Sequence, residues 1–168
     1  MLNYTKHIVL IVVVLALSNL SCHHATEPDP DEGRIVINQS IDGIQFGDDT
    51  LTVIRKLGPP NRSYANGPEH VGFWYVQGPH ATMFISINLN PTSHSGVEYI
   101  DITSPYAGKT STGIALGSKR DEAWSKLGKP GSSEEYTLGW RDWYYSGTNQ
   151  TLVEYQNDVL TRIRMFGG

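Results

Sequence analysis

Cysteine is almost missing from this chain. Cys22 is the single one in 168 residues, so no internal disulfide can form, even in a compartment that would permit one. The short motifs of common hydrolases are missing too. There is no Gly-x-Ser-x-Gly elbow, no His-Glu-x-x-His and no Cys-x-x-Cys, which leaves nucleophilic, zinc-dependent and dithiol chemistry without a local framework. Ala107-Gly108-Lys109-Thr110 imitates the tail of a phosphate-binding loop, but Thr103 stands where its first glycine is required and Gly113 interrupts the helix that must follow. Positive charge is also scarce. With Lys6 set aside, the 13 basic residues become 12 against 17 acidic ones, a balance that repels a phosphate backbone and excludes nucleic acid as the partner. The longest apolar run, Ile8 to Leu17, has ten residues, too few for a helix to cross a hydrocarbon core of about 30 Å.

That run follows Lys6 and precedes small polar residues, so residues 1–21 read as a cleaved signal peptide outside the fold. Cys22 comes directly after it. Leu20-Ser21-Cys22 resembles the lipidation box of bacterial lipoproteins, although Asn19 stands where the usual leucine would be. The resemblance implies a lipid anchor on Cys22 and a membrane contact through it, with a plain signal cleaved nearby as the alternative. Residues 22–33 read as a tether, because Glu27-Pro28-Asp29-Pro30-Asp31-Glu32 combines proline with four acids and nothing apolar to bury. His23-His24 lacks a third ligand, and no metal or other cofactor is expected.

What is present is a repeated line. Gly43 to Pro60 returns as Gly113 to Pro130, with seven of eighteen positions identical at an offset of 70: Gly43, Ile44, Gly47, Lys56, Leu57, Gly58 and Pro60 all recur. The line predicts a helix of about ten residues between two glycine turns. Asp48 or Ser118 would cap its start, and Gly58-Pro59-Pro60 or Gly128-Lys129-Pro130 would end it. Leu51, Ile54 and Leu57, and likewise Ala123, Trp124 and Leu127, supply its apolar stripe.

Strands are expected at Arg34 to Ile37, Val71 to Gln77, Ala81 to Leu89 and Val97 to Thr103, then at Arg141 to Tyr145, Gln150 to Gln156 and Val159 to Phe166. Alternation sends Met83, Ile85, Ile87, Leu89, Ile100, Ile102, Val153, Tyr155, Ile163 and Met165 inward, leaving Tyr99, Asp101, Leu152, Glu154, Arg162 and Arg164 outward. The triplets Phe73-Trp74-Tyr75 and Trp143-Tyr144-Tyr145 align at the same offset of 70. The expected fold class is α+β, with two tandem helix-plus-antiparallel-sheet repeats over 34–104 and 105–168 and the helices on one face of the sheet. The other face would be open to water. Phe73, Trp74, Tyr75, Phe84, Tyr99, Trp143, Tyr144, Tyr145, Arg162 and Arg164 are its candidate protein-binding residues, since aromatic and arginine side chains dominate interface energetics.

The line Gly-Ile-x-Phe/Leu-Gly followed by Lys-Leu-Gly-x-Pro and an aromatic strand pair resembles the SmpA/OmlA (BamE-like) domain of small outer-membrane lipoproteins. In its tandem form it resembles the β-lactamase inhibitor protein family, whose usual disulfides are absent here. The resemblance implies an exported envelope protein at the outer membrane or its periplasmic face, acting as a scaffold or assembly accessory rather than an enzyme. An inhibitor or immunity protein that blocks one secreted or periplasmic enzyme is the alternative within the same class. A different class also stays open: an envelope hydrolase drawing on His70, His80 and His94 with Asp101.

Overall fold

In a computed structural model of the chain, the described residues are 33–168 apart from Asn66, Pro79 and Ser93. The signal peptide, Cys22 and all of the tether except Gly33 lie outside the described residues. The elements are β1 (Arg34–Val36), β2 (Ser40–Ile41), β3 (Ile44–Gln45), α1 (Thr50–Leu57), β4 (Arg62–Ala65), β5 (His70–Tyr75), β6 (Met83–Asn88) and β7 (Gly96–Thr103). They continue with β8 (Lys109–Thr110), α2 (Arg120–Leu127), β9 (Ser132–Tyr136), β10 (Gly139–Ser146), β11 (Asn149–Gln156) and β12 (Val159–Phe166). Lys109-Thr110, in the imitation phosphate loop, is thus a strand.

This overturns the expected fold class. The described residues are mostly β, with 48% strand and 12% helix, and their main body is one eight-stranded antiparallel sheet in the order β4-β5-β6-β7-β12-β11-β10-β9. A second sheet, β3-β2-β1-β8, contains the parallel pair of β1 with β8. The physical reason lies at the β7–β12 junction, where Ile102 faces Ile163 and Ile100 faces Met165. All of these are completely buried. An apolar strand edge that finds another apolar strand edge pairs with it, so what reads as two helix-and-sheet units becomes a single sheet with short helices attached.

The helices begin where the repeated line places them, but one residue later and shorter. Asp49, not Asp48, caps α1 by accepting from the Thr52 amide at 2.7 Å. Asp48 instead accepts from the Gln45 amide and from Lys56 Nζ. In the second copy the cap position is Lys119, and Ser118 Oγ accepts from the Ala115 amide. Gly58 and Gly128 close both helices at φ 77° and 87°, a region costly for any residue with a Cβ. Val53 and Ala123 are the buried helix positions, with Ile54, Leu57 and Leu127 packed against the core. Leu51, expected in the stripe, is 73% exposed.

Beneath the sheet, Met83, Ile85, Ile87, Val153, Tyr155, Ile163 and Met165 join Ile35, Ile41 and Ile44 of the small sheet in one core. The inward set matches the alternation expected from sequence except for Leu89, which follows β6 and is exposed.

Two carboxylates are buried with that core, and each is answered by several donors. Asp142 accepts from Arg120 Nε and Nη2, Trp124 Nε1 and Ser133 Oγ, at 2.6 to 3.1 Å. Arg120 in turn lies over the rings of Trp124 and Trp140, 4.5 and 4.0 Å from their centroids. Asp42 accepts from the Gly33 amide and Tyr106 Oη, and pairs with His80 Nδ1 at 2.6 Å. A buried charge that loses its partner costs about 3–5 kcal/mol. Arg120→Ala is therefore expected to lower stability by about that much, measured as a shift in urea midpoint at unchanged slope. An unshifted midpoint would mean that Trp124 and Ser133 suffice for Asp142.

Candidate binding face

The face of the large sheet away from the core is organised in cross-strand rows. One row runs Arg62, Trp74, Phe84, Asp101, Arg164, Leu152, Trp143, Ser132 through successive partners. Two residues along the strands, a second row runs Tyr64, Gly72, Ser86, Tyr99, Phe166, Gln150, Tyr145. A third joins Thr103, Arg162, Glu154, Arg141 and Glu134. Opposed and diagonal side chains on one face of a sheet touch, so the composition of these rows dictates the surface.

The first two rows make a chain of aromatic rings. Tyr64 stacks on Phe84 at 6.0 Å and 7°, Trp74 meets Phe84 at 4.7 Å, and Phe84 meets Tyr99 at 5.9 Å. Tyr99 then meets Phe166 at 5.1 Å, and Phe166 meets Trp143 at 6.1 Å. These separations lie within the 4.5–7 Å range of favourable aromatic pairs. Gly72 makes the first stack possible, because a Cβ there would run into the rings of both Tyr64 and Phe84. At the far side Tyr145 leans across Gly131 in the same manner.

The third row is a self-compensated ladder. Arg162 binds Asp101 through both Nε and Nη2, and Tyr99 Oη donates to Asp101 Oδ2 at 3.0 Å. Arg164 Nη2 lies 3.3 Å from Glu154 Oε2, and Arg141 Nε donates to Glu154 Oε1 at 2.9 Å while also reaching Glu134. The hydrogen bond to Asp101 holds the Arg162 guanidinium above its already high range. Burial, with Asp101 beside it, pushes the Tyr99 phenol well up. Asp101, Leu152 and Glu154 point outward as expected, yet they are buried beneath the arginines and rings around them. The face is thus a packed aromatic stripe along a neutralised ionic strip.

Of the candidate binding residues, Trp74, Phe84, Tyr99, Trp143, Tyr145, Arg162 and Arg164 are brought together on this face. Phe73, Tyr75 and Tyr144 are not. They are buried at 6%, 3% and 7% exposure and point into the core. The cause is strand alternation, which sends the neighbours of outward Trp74 and Trp143 into the core, and the two triplets are themselves out of register by one residue. Trp74 opposes Arg62, twelve residues away, whereas Trp143 opposes Ser132, eleven away, so the β9–β10 connection is one residue shorter and the offset of 70 becomes 69. Both copies confirm the true equivalence. Tyr75 Oη donates to the Gly58 carbonyl at 3.1 Å and Tyr144 Oη to the Gly128 carbonyl at 3.4 Å. A slip of one residue exchanges the two faces of a strand. Tyr64 and Phe166 belong to the stripe and escape the sequence reading. The glycine opposite Tyr64 is the signal that could have found the first.

The histidines are not assembled around Asp101. His70 Nε2 lies 3.4 Å from Glu98, His80 pairs with Asp42, and exposed His94 borders a small hollow with Phe46 and Ser95. Among the described residues no group of three or more His, Cys, Asp or Glu side chains could hold a metal ion.

No family model and no curated protein matches the chain. Among solved structures, a DUF4309 family protein from Bacillus subtilis subsp. subtilis str. 168 is similar at 10% identity and a TM-score of 0.49, over 77% of this chain and 86% of its own. A cysteine-rich secretory protein from Staphylococcus aureus subsp. aureus Mu50 is similar at 11% identity and a TM-score of 0.50, over 82% of this chain and 48% of its own. An extracellular protein containing a SCP domain from Bacillus anthracis str. Ames is similar at 10% identity and a TM-score of 0.48, over 79% of this chain and 50% of its own. This chain therefore matches about half the length of the latter two. None of the three is a SmpA/OmlA domain, and the likeness is one of fold alone.

Burial pushes the phenols of Tyr75 and Tyr144 up to about 12 from an ordinary 10. The folded state then holds protons that the unfolded chain releases, so stability present below pH about 10 falls as pH rises towards 12. Phenolate absorbance of the folded protein is expected to lag behind that of the urea-unfolded chain over this window, and the urea midpoint to decline through it. Coincident titrations would contradict the buried placement.

Proposed function

We propose that this chain is an exported envelope protein that binds another envelope protein through the open face of its eight-stranded sheet, as a scaffold or assembly accessory. The observation that carries this reading is the unbroken series of ring contacts from Tyr64 to Trp143, with no element among the described residues laid over it. Large aromatic side chains at a partly exposed surface supply contact area at low entropic cost and are the residues most often found to dominate interfaces. The ionic ladder beside them is already paired, so it offers shape and hydrogen bonding more than net charge. Export is supported by the signal-like residues 1–21 and by the secretory and extracellular character of two of the similar proteins. Anchoring at the outer membrane through a lipid on Cys22 is part of the proposal and follows from the box that precedes it.

Trp74 and Trp143 mark the two ends of the stripe and are its test. With a partner identified by capture on the intact protein and confirmed by calorimetry, Trp74→Ala and Trp143→Ala are each expected to weaken binding by at least about 2 kcal/mol. Each ring also stacks on a phenylalanine, so thermal midpoints should fall by a few degrees while the variants stay cooperatively folded at the binding temperature. Full affinity in both variants would remove the sheet face from the interface. A single secreted enzyme held in equimolar complex would point to inhibition rather than scaffolding.

A further inference from the structure

The large sheet ends in two unlike edges. On β9, Glu134 and Glu135 are adjacent and exposed, so an approaching strand meets carboxylates, a common guard against edge pairing. On β4, the sequence Arg62-Ser63-Tyr64-Ala65 is exposed along its whole length and carries no carboxylate, lysine or proline. It shows no bulge against β5 either. An unguarded edge presents unpaired backbone donors and acceptors to any extended chain.

The exposed apolar residues beside that edge have a shape. Tyr64, Trp74 and Val76 are 47%, 38% and 43% exposed, and with Arg62 and Ser63 they line a groove of about 470 Å³. Arg62 has no carboxylate partner among the described residues, in contrast to Arg141, Arg162 and Arg164, which are all paired. Arg62 and Trp74 are direct cross-strand neighbours, so the cation and the apolar wall fall on one side of the edge.

We propose that β4 is a strand-addition site. Its occupant is an extended segment of the partner protein that pairs with the β4 backbone, sets an apolar side chain in the groove between Tyr64, Trp74 and Val76, and places a carboxylate against Arg62. Side chains alternate along a strand, so the apolar and acidic residues of that segment stand two apart. Such main-chain pairing with alternate side chains in pockets is one of the recurring modes of peptide recognition. The proposal deepens the protein-binding reading: Tyr64 and Trp74 both touch Phe84, so an added strand would lengthen the aromatic face at its open end.

The test uses the full chain and a fluorescein-labelled heptapeptide with threonine at odd positions and valine, aspartate and valine at even ones. Fluorescence anisotropy should show saturable binding, with a lysine-for-aspartate peptide weaker by about fivefold, as for an exposed ion pair. In Arg62→Glu, which alters an exposed side chain, the preference should reverse. Methylating alternate peptide amides should abolish binding, and the bound peptide should slow hydrogen exchange in β4. Absence of saturable binding at millimolar peptide, indifference to N-methylation, or unchanged exchange in β4 would each overturn the proposal. So would sedimentation showing that a second copy of the chain occupies the edge. Trp143 lies across the sheet from β4, so loss of partner capture in Trp143→Ala without peptide binding would leave the face reading standing and end this one.

Discussion

The pairing of β7 with β12 is the constraint on which everything else depends. Below the sheet it sets Ile100 against Met165 and Ile102 against Ile163, making one core from two halves. Above the sheet the same register sets Tyr99 against Phe166 and Asp101 against Arg164. The aromatic stripe and the ionic ladder both cross at this seam. A register shifted by one residue would turn one of the two strands over, for β12 burying Arg162 and Arg164 in the apolar layer and exposing Ile163 and Met165. The interior and the outer face are therefore specified together.

Much of this was legible in the sequence, and the misses have particular causes. The helices follow from a short apolar stripe and terminal glycines, local signals that recur in both copies, whereas the expected capping oxygens of Asp48 and Ser118 bond elsewhere. The central strands were read from alternation, and Met83, Ile85, Ile100, Ile102, Ile163 and Met165 face inward as expected. The edge strands were not seen, because Arg62–Ala65 and Ser132–Tyr136 are exposed on both faces or nearly so and carry no alternation. The joining of the two sheets was invisible as well, since pairing between distant strands leaves no periodic trace in either one. That hidden pairing is why a tandem α+β reading gave way to a mostly β one.

The candidate binding face was half legible for a related reason. Trp74, Phe84, Tyr99, Arg162 and Arg164 follow from alternation within single strands. Phe73, Tyr75 and Tyr144 point inward because side chains alternate along a strand and Trp74, Trp143 and Tyr145 take the outer face; the two triplets match at an offset of 69 rather than 70. In the second copy the core position equivalent to Phe73 holds Asp142, which is tolerated because Arg120, Trp124 and Ser133 surround it. A duplicated line can keep its turns and its helix while the side chains beneath them diverge from ring to ion pair.

The arrangement of the seam also has a consequence in time. The hairpins β5–β6, β10–β11 and β11–β12 join neighbours along the chain and close small loops. The seam joins Asp101 to Arg162 across 61 residues, and Asn38 reaches Thr151 across 113. Closing such long loops costs more chain entropy than closing hairpins. Folding should therefore run through two locally formed half-sheets that wait for each other, their apolar edge strands unpaired in the interval. A protein whose mature surface is built to receive a strand thus passes, on its way to that surface, through a stage in which two further edges are open.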